Sequence, residues 1–524
     1  MKNPEPEVPV ECKAEAKRLN ANEAFRWKNI LAAVIGRISD SPIAHRLAKG
    51  AFWSLVGTAA TRVFTVFSTI CIARILGKEN FGVLGMVLST LGMLGTLAGF
   101  SLGSTTTKYL SEYRTKDPFK AGRILTLTNT TVFITGGVIL GIILSAAPWL
   151  AQELLNKPDL GTIVRIGGLL LFLNALNEVQ VGTLAGFEAF KSIAKINFWQ
   201  GLSSPLLAIP FVFYQGVSGA IYAQSLVTVI GLILCKKEIR IECIKFNICF
   251  RRFSLSSILE ERSVLWKFSI PALASGLLVM PVIWVCNMML VRQQNGYAEL
   301  GLFNAANQWR LIIIIFPQIL ASIMLPIFSE VHGQGNKENF QHALNFNLSL
   351  TWIFALPLTI IVIIFREPLS TLFGKQYIGM SPIIALLMFT AFLNIVNNVI
   401  GTALAGAGKM WIGTLFNLGW AAVLICGNFF LVPLLGGMGM AIAYLIAYFF
   451  HTAWQMVYTE LILAPTVISR NYRLVIITFA STIPIAVISF INYRSVIVNV
   501  LILSLSLIPI VELGIDKLPK FKSA

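Results

Sequence analysis

Charge is scarce in this sequence. Only 12% of its 524 residues are Asp, Glu, Lys or Arg, while 56% are hydrophobic. A soluble domain carries roughly 25% charged residues, so a large water-facing surface is excluded. The four aspartates (Asp40, Asp117, Asp159 and Asp516) all fall outside the apolar segments. The four histidines (His45, His332, His342 and His451) are far apart in sequence and suggest no metal site. The seven cysteines include no CxxC pair, which argues against a zinc site or a disulfide framework. Cys71, Cys286 and Cys426 read as small apolar packers. There is no Walker A motif, so the chain is not itself an ATPase. No paired carboxylates present themselves for acid–base chemistry, and the chain does not read as an enzyme. Strand-like alternation is also missing, which argues against an outer-membrane barrel.

What is present is a series of long apolar runs. A membrane-spanning helix needs roughly 20 mainly apolar residues. The first six such segments lie near 50–74, 82–106, 124–147, 161–186, 197–214 and 216–235. A basic connector follows at 236–267, and eight more lie near 268–291, 300–327, 342–365, 378–405, 411–432, 437–459, 473–491 and 495–513. The fold class predicted is an all-α polytopic membrane protein with about fourteen spans.

The net charge of +17 first suggests nucleic acid, but its distribution argues otherwise. With the N-terminus inside, 31 of the 41 Lys and Arg fall on the inner side and 8 on the outer. That asymmetry follows the positive-inside rule and places both termini in the cytoplasm. Arg62 and Arg310 remain, both within spans. The polar, basic stretch 1–47 reads as a cytoplasmic tail, either disordered or carrying an interfacial helix around Ile30–Gly36.

The two halves of the chain resemble each other. Phe172, Leu173, Asn174, Asn177, Val179, Leu184, Ala185 and Gly186 recur 220 residues later as Phe392, Leu393, Asn394, Asn397, Val399, Leu404, Ala405 and Gly406. Gly82 matches Gly301 at nearly the same offset, and Ser111-Glu112 matches Ser329-Glu330. Six spans separate the copies, so the halves share one topology, with a central cavity expected between them. The organisation predicted is a tail at 1–47, an N-terminal half at 48–235, a connector at 236–267, a C-terminal half at 268–460, two further helices within 461–513 and a cytoplasmic tail at 514–524.

A charge at mid-bilayer costs on the order of 2.5–3.5 kcal/mol and needs a reason. Arg62 and Arg310 either face a water-filled cavity and bind an anionic group, or are structural and paired with Glu or carbonyls. Guanidinium geometry suits phosphate. Asn304 and Asn307 share a helix face with Arg310 and can bind sugar hydroxyls or link helices. Glu178, the clearest acid within a span, can hold a coupling cation, exchange protons or neutralise an arginine. Its repeat partner is Asn398. The Gly95-x3-Gly99-x3-Gly103 stripe predicts close helix packing.

Lys49-Gly-Ala-Phe-Trp-Ser-Leu, followed by Ala73-Arg-Ile-Leu-Gly-Lys-Glu-Asn-Phe-Gly-Val-Leu-Gly, resembles the opening of bacterial Wzx-like polysaccharide transporters. These form part of the multidrug/oligosaccharidyl-lipid/polysaccharide flippase superfamily. Leu300-Gly-Leu-Phe-Asn-Ala-Ala-Asn and Leu325-Pro-Ile-Phe-Ser-Glu are similar to that family too. The resemblance implies a flippase in the cytoplasmic membrane. Its substrate would be a polyprenyl-pyrophosphate-linked oligosaccharide, moved by alternating access through a cationic cavity for surface polysaccharide biosynthesis. It further implies membrane lipids and other polysaccharide-assembly proteins as partners, no nucleic acid, and no cofactor beyond a coupling H+ or Na+. Arg62 and Arg310 fit the arginines found near the first spans of each half in similar lipid II flippases. A lipid II-type flippase, a drug or cation antiporter of the same superfamily, a membrane glycosyltransferase or polymerase, and a scaffold are the competing readings. The antiporter would show more acid in its spans, and the glycosyltransferase a larger outer loop.

Overall fold

The computed structural model describes residues 42–154, 157–248, 260–270, 273, 277–335, 337–465 and 467–470. The tail up to residue 41, part of the connector and the two C-terminal spans lie outside these residues. The described chain is almost wholly helical and contains no strand. The helices are α1 (Pro42–Gly99), α2 (Leu102–Tyr113), α3 (Pro118–Trp149), α4 (Gly161–Gly186), α5 (Phe190–Lys245), α6 (Val279–Val291), α7 (Gly296–Ile313), α8 (Ile315–Gly333), α9 (Lys337–Ile364), α10 (Arg366–Thr371), α11 (Ser381–Gly406), α12 (Met410–Tyr458) and α13 (Val467–Arg470). Among the described residues, seven continuous helical stretches are long and apolar enough to cross a membrane.

Three of these stretches are too long for one crossing. At 1.5 Å per residue the 58 residues of α1 would extend ~87 Å, against a hydrocarbon core of about 30 Å. Each folds back at a glycine: Gly77 in α1 (φ 71°), Gly216 in α5 (φ 58°, ψ −131°) and Gly436 in α12 (φ 56°, ψ −132°). Positive φ is cheap only for glycine. Just past two of these kinks, a Cβ on Gly219 would strike the carbonyl of Phe211, and one on Gly439 that of Leu431. Residues eight apart in a straight helix never meet this way, so both helices are hairpins of two spans. Gly219→Ala and Gly439→Ala should each destabilise the protein by at least about 2 kcal/mol, because the atom struck is backbone and cannot yield. A thermal melt in detergent checks this.

The hairpins recur with the repeat. Gly216 and Gly436 are 220 residues apart and share torsions within a few degrees. The helix ends match as well. Glu188 N donates to Ala185 O and Ala189 N to Leu184 O, while Gly408 N donates to Ala405 O and Lys409 N to Leu404 O. Thr228 Oγ1 donates to Asn174 Oδ1 at 3.0 Å, and its counterpart pair, Asn394 Nδ2 and Tyr448 Oη, bonds at 2.7 Å. The duplication seen in side-chain identities is therefore also a duplication of backbone geometry.

Apolar side chains such as Phe133, Val138, Phe213, Phe429 and Phe430 remain exposed on the outside, as lipid-facing helices require. Inside, the glycine stripe of α1 and α2 receives α4. A Cβ on Gly182 would strike Gly103 O, and Thr107 Oγ1 donates to Gly182 O at 2.9 Å. At the following turn, Asp117 caps α3 by accepting from Lys120 N at 2.9 Å, with Pro118 at the first helical position. The expected connector is not wholly a loop. Helix α5 runs through its first part to Lys245, and its last part docks on α3, where Arg123 Nη2 meets Glu261 Oε1 at 2.7 Å.

The halves touch at the end that the charge distribution makes outer. Arg74 Nε donates to Leu372 O at 2.6 Å and Nη2 to Thr371 O at 3.3 Å, a cation capping the C-terminal carbonyls of α10. Tyr377 Oη donates to Ala73 O at 3.0 Å. Gly82 and its repeat partner Gly301 cross reciprocally: a Cβ on Gly82 would strike Tyr297 O, and one on Gly301 would strike Lys78 O.

Candidate functional site

Of the helices that carry the site residues predicted from sequence, α1 (Arg62) and α7 (Asn304, Asn307, Arg310) pack on each other across the two halves, while α4 (Glu178) packs on helices of the N-terminal half. Helix α7 carries Asn304, Asn307 and Arg310 on one face. Arg310 Nε donates to Asn307 Oδ1 at 2.6 Å, so the asparagine fixes the guanidinium and leaves its terminal nitrogens for another partner. Asn304 points across to the N-terminal half. Its Nδ2 rests on Gly85 of α1, where a side chain would collide with it, and that buried Nδ2 has no hydrogen-bond partner among the described residues.

Arg62 lies on the first arm of α1, beside Thr61, whose hydroxyl reaches Asn197 O of α5 at 3.1 Å. Its Nε and Nη2 are buried with no protein partner among the described residues. A buried donor left unmatched costs about 1–3 kcal/mol, more when charged. Two of the three guanidinium nitrogens of Arg62 are unmatched among the described residues.

Glu178 stands on α4 against the glycine stripe. A Cβ on Gly99 would lie 2.8 Å from Glu178 Oε2, and one on Gly103 2.9 Å from its Cγ. The glycines therefore make room for a carboxylate as well as for close packing. Among the described residues Glu178 forms no ion pair with Arg62 or Arg310. Between Gly99 and α2 the chain breaks at Phe100 (φ 49°) and Ser101 (φ 50°). Positive φ at a bulky residue is an outlier that costs of order 1–3 kcal/mol and clusters at functional sites. Sequence reasoning missed this break.

It also missed a polar pocket in the C-terminal half. Asn397 Nδ2 lies 3.3 Å from His451 Nδ1, and Gln455 Nε2 3.0 Å from His451 Nε2. The repeated asparagines, Asn394 and Asn397, were the available signal. The spacing of His451 and Gln455 on one helix face, i and i+4, was the other.

A family model described as "Polysaccharide biosynthesis protein" matches residues 71–382. The chain belongs to that family. The chain is 24% identical over 411 residues to a putative O-antigen transporter of Shigella flexneri, covering 76% of this chain and 93% of that one. It is 22% identical over 356 residues to the succinoglycan biosynthesis transport protein ExoT of Rhizobium meliloti, covering 66% of each. Among solved structures, its fold is similar to the lipid II flippase MurJ in an inward closed conformation, with a TM-score of 0.68, 12% identity and coverage of 88% and 98%. It is also similar to an inward-facing multidrug transporter of the MATE family, with a TM-score of 0.62, 15% identity and coverage of 78% and 98%. The resemblance to Wzx-like transporters, read from Lys49–Leu55 and the motifs after it, is borne out. This member of the family is a multi-pass membrane protein, and its helical fold is similar to that of these transporter structures.

Proposed function

We propose that this chain flips a polyprenyl-pyrophosphate-linked oligosaccharide across the cytoplasmic membrane during surface polysaccharide biosynthesis, without catalysing a reaction. The observation that carries the reading is the pair of span arginines, one in each half. Arg62 has buried nitrogens lacking a protein partner, and Arg310 is oriented by Asn307. Two fixed cations in a low-dielectric setting suit a pyrophosphate far better than a neutral or cationic drug. Asn304 and Asn307 offer amide groups to the first sugars. The lipid tail stays in the bilayer while the head group passes between the halves.

Both termini lie in the cytoplasm on this reading, and the contacts of Arg74, Tyr377, Gly82 and Gly301 close the outer end. Loading then occurs from the cytoplasmic leaflet, beside the enzymes that assemble the substrate. A coupling proton or Na+ engages Glu178, whose carboxylate lies against the broken segment of Gly99–Gly103. Glu178→Gln keeps the shape that fits the glycine stripe and removes only the charge. It should lower transport by about tenfold or more and abolish its dependence on the ion gradient. A glutamine variant with unchanged gradient dependence in proteoliposomes would leave Glu178 a packing residue.

The experiment for the function as a whole is deletion, followed by mass spectrometry of the polyprenyl-linked lipids. Accumulation of one lipid-linked oligosaccharide, together with loss of the matching surface polymer, is the expected result and names the cargo. Intact surface polymers with no accumulation would overturn it in favour of the antiporter reading.

A further inference from the structure

We infer that the C-terminal half holds a second binding site, built for an uncharged, hydroxyl-rich ring such as a neutral sugar residue. The cavity has a volume of about 480 Å³ and lies among α6, α8, α11 and α12. That is within the size range of small-molecule sites. Its floor is made of Asn397, Trp420, His451 and Gln455, which are 6%, 3%, 6% and 4% exposed. Its rim, at Asn398, Gly401 and Asn417, is only half-buried, so the cavity opens outward there.

The floor is polar and incompletely matched. A neutral imidazole offers one N–H and one lone pair. Both ring nitrogens of His451 face an amide nitrogen, Asn397 Nδ2 and Gln455 Nε2, and only the ring nitrogen that carries the lone pair can accept from its neighbour. Asn397 Oδ1 and Gln455 Oε1 are buried with no hydrogen-bond partner among the described residues. Trp420 Nε1 is a third unmatched group, a donor. A ligand that satisfies this floor must donate and accept hydrogen bonds at close spacing, which is what vicinal hydroxyls do. Trp420 and Tyr448, packed edge to face with centroids 5.6 Å apart, add an aromatic surface to the lining of the kind that sugar rings pack against. Among the described residues no Asp, Glu, Lys or Arg lines the cavity, so an ionised ligand would be buried there without a counter-charge from them.

Two further features separate a site from a packing fault. Gly401 and Gly413 line the cavity, and a Cβ on either would meet nothing within 4 Å. A glycine in a helix interior costs roughly 1 kcal/mol relative to alanine. Here it gains no close helix contact, only open volume. The duplicated N-terminal half lacks the feature. There the position of His451 is Gly231, the position of Trp420 is Gln200, and the Gln200 amide occupies the space beside Gly231 that an imidazole would need. The halves share their hairpins and helix ends, yet Gln200 fills in the N-terminal half a space that stays open in the C-terminal one.

The site is read from its own geometry; its role in transport, recognition of an uncharged sugar of the cargo, rests on the flippase reading above. The test uses the full chain in nanodiscs. Saturation-transfer NMR with the neutral methyl glycosides of glucose, galactose, mannose and N-acetylglucosamine reports the cavity. Geranyl pyrophosphate, titrated separately, reports the arginines. Gly401→Leu and Gly413→Leu place a side chain in the cavity from positions where a Cβ meets nothing within 4 Å, and Gly141→Leu, at an equally open glycine of α3, is the control. At least one glycoside should bind the unmodified protein and Gly141→Leu, and bind both cavity-filling variants at least about tenfold more weakly. Glycoside binding unchanged in the filled variants, or absent from the unmodified protein, overturns the site. Retained geranyl pyrophosphate binding in that case leaves the flippase reading standing. Glycoside binding that depends on the cavity, without any geranyl pyrophosphate binding, supports the site and sinks that reading instead.

Discussion

Arg310→Ala and Arg62→Ala should each reduce translocation at least about a hundredfold while leaving the protein in the membrane at normal abundance. A guanidinium that contacts a pyrophosphate makes charge-assisted hydrogen bonds worth about 1.5–3 kcal/mol each. Losing two of them weakens the charged intermediate by about 3–6 kcal/mol, and each 1.36 kcal/mol is a factor of ten in rate. Membrane insertion does not suffer, because removing a mid-span arginine relieves on the order of 2.5–3.5 kcal/mol of insertion cost. The two positions differ in what lysine can restore. Arg62 Nε and Nη2 are both buried and unmatched, so a single ammonium replaces the charge but not the fork. At position 310 the Nε is already used by Asn307, so Arg310→Lys should recover more activity than Arg62→Lys. Asn307→Ala should act through Arg310, lowering transport by a smaller factor that does not add to the loss in Arg310→Ala. The assay is release of the lipid-linked intermediate to the outer leaflet in cells carrying each variant, with protein amount measured alongside. Normal flipping by both alanine variants would end the assignment of these arginines to the cargo.

The arginines were legible in the sequence because charge inside a span stands out against an apolar background. The repeat was legible because asparagine is rare in spans, and Asn174 and Asn177 return as Asn394 and Asn397. The structure adds that the repeat extends to backbone torsions at Gly216 and Gly436, which no residue identity reveals. Other features were not legible, each for a physical reason. The break at Phe100–Ser101 carries no glycine or proline of its own, and the neighbouring Gly99 and Gly103 read as a packing stripe. Only the placement of Glu178 on that stripe joins the two observations. His451 carried a negative inference, since a lone histidine is no metal site. Its use depends on Asn397 and Gln455 meeting it, and a sequence gives the face of a helix without naming its neighbour. The connector beginning at 236 was read from its charges, yet α5 continues to Lys245 because Lys, Glu, Arg and Ile there are good or adequate helix formers. The expected tail at 1–47 lies mostly outside the described residues, and the spans at 473–491 and 495–513 lie wholly outside them.

Gly82→Leu and Gly301→Leu should abolish transport as completely as loss of either arginine, through a different cause. Alternating access needs both ends of the path to close in turn, and the outer end closes here by glycine meeting glycine. Each of these two residues presents no side chain, so that the carbonyl of its partner helix, Tyr297 O or Lys78 O, can take the space of a Cβ. A leucine at either position must push the helices apart by the width of a side chain. The strain cannot be relieved by a rotamer change, since the atoms struck are backbone. Separation at this crossing also breaks the contacts around it, namely Arg74 on the carbonyls of Thr371 and Leu372 and Tyr377 on Ala73 O. The variants should therefore fold, insert and remain open at the outer end. An Ala73→Cys reporter separates this from misfolding, because Ala73 is fully buried in the closed arrangement. A membrane-impermeant maleimide should label that cysteine at least about tenfold faster when Gly82→Leu or Gly301→Leu is present, with no change in protein abundance. Arg74→Ala removes two hydrogen bonds at the same end and leaves the glycine crossing intact, so its labelling should rise only severalfold and its transport should survive. Slow labelling and normal transport in both leucine variants would show that the crossing at Gly82 and Gly301 is packing that the cycle never reopens.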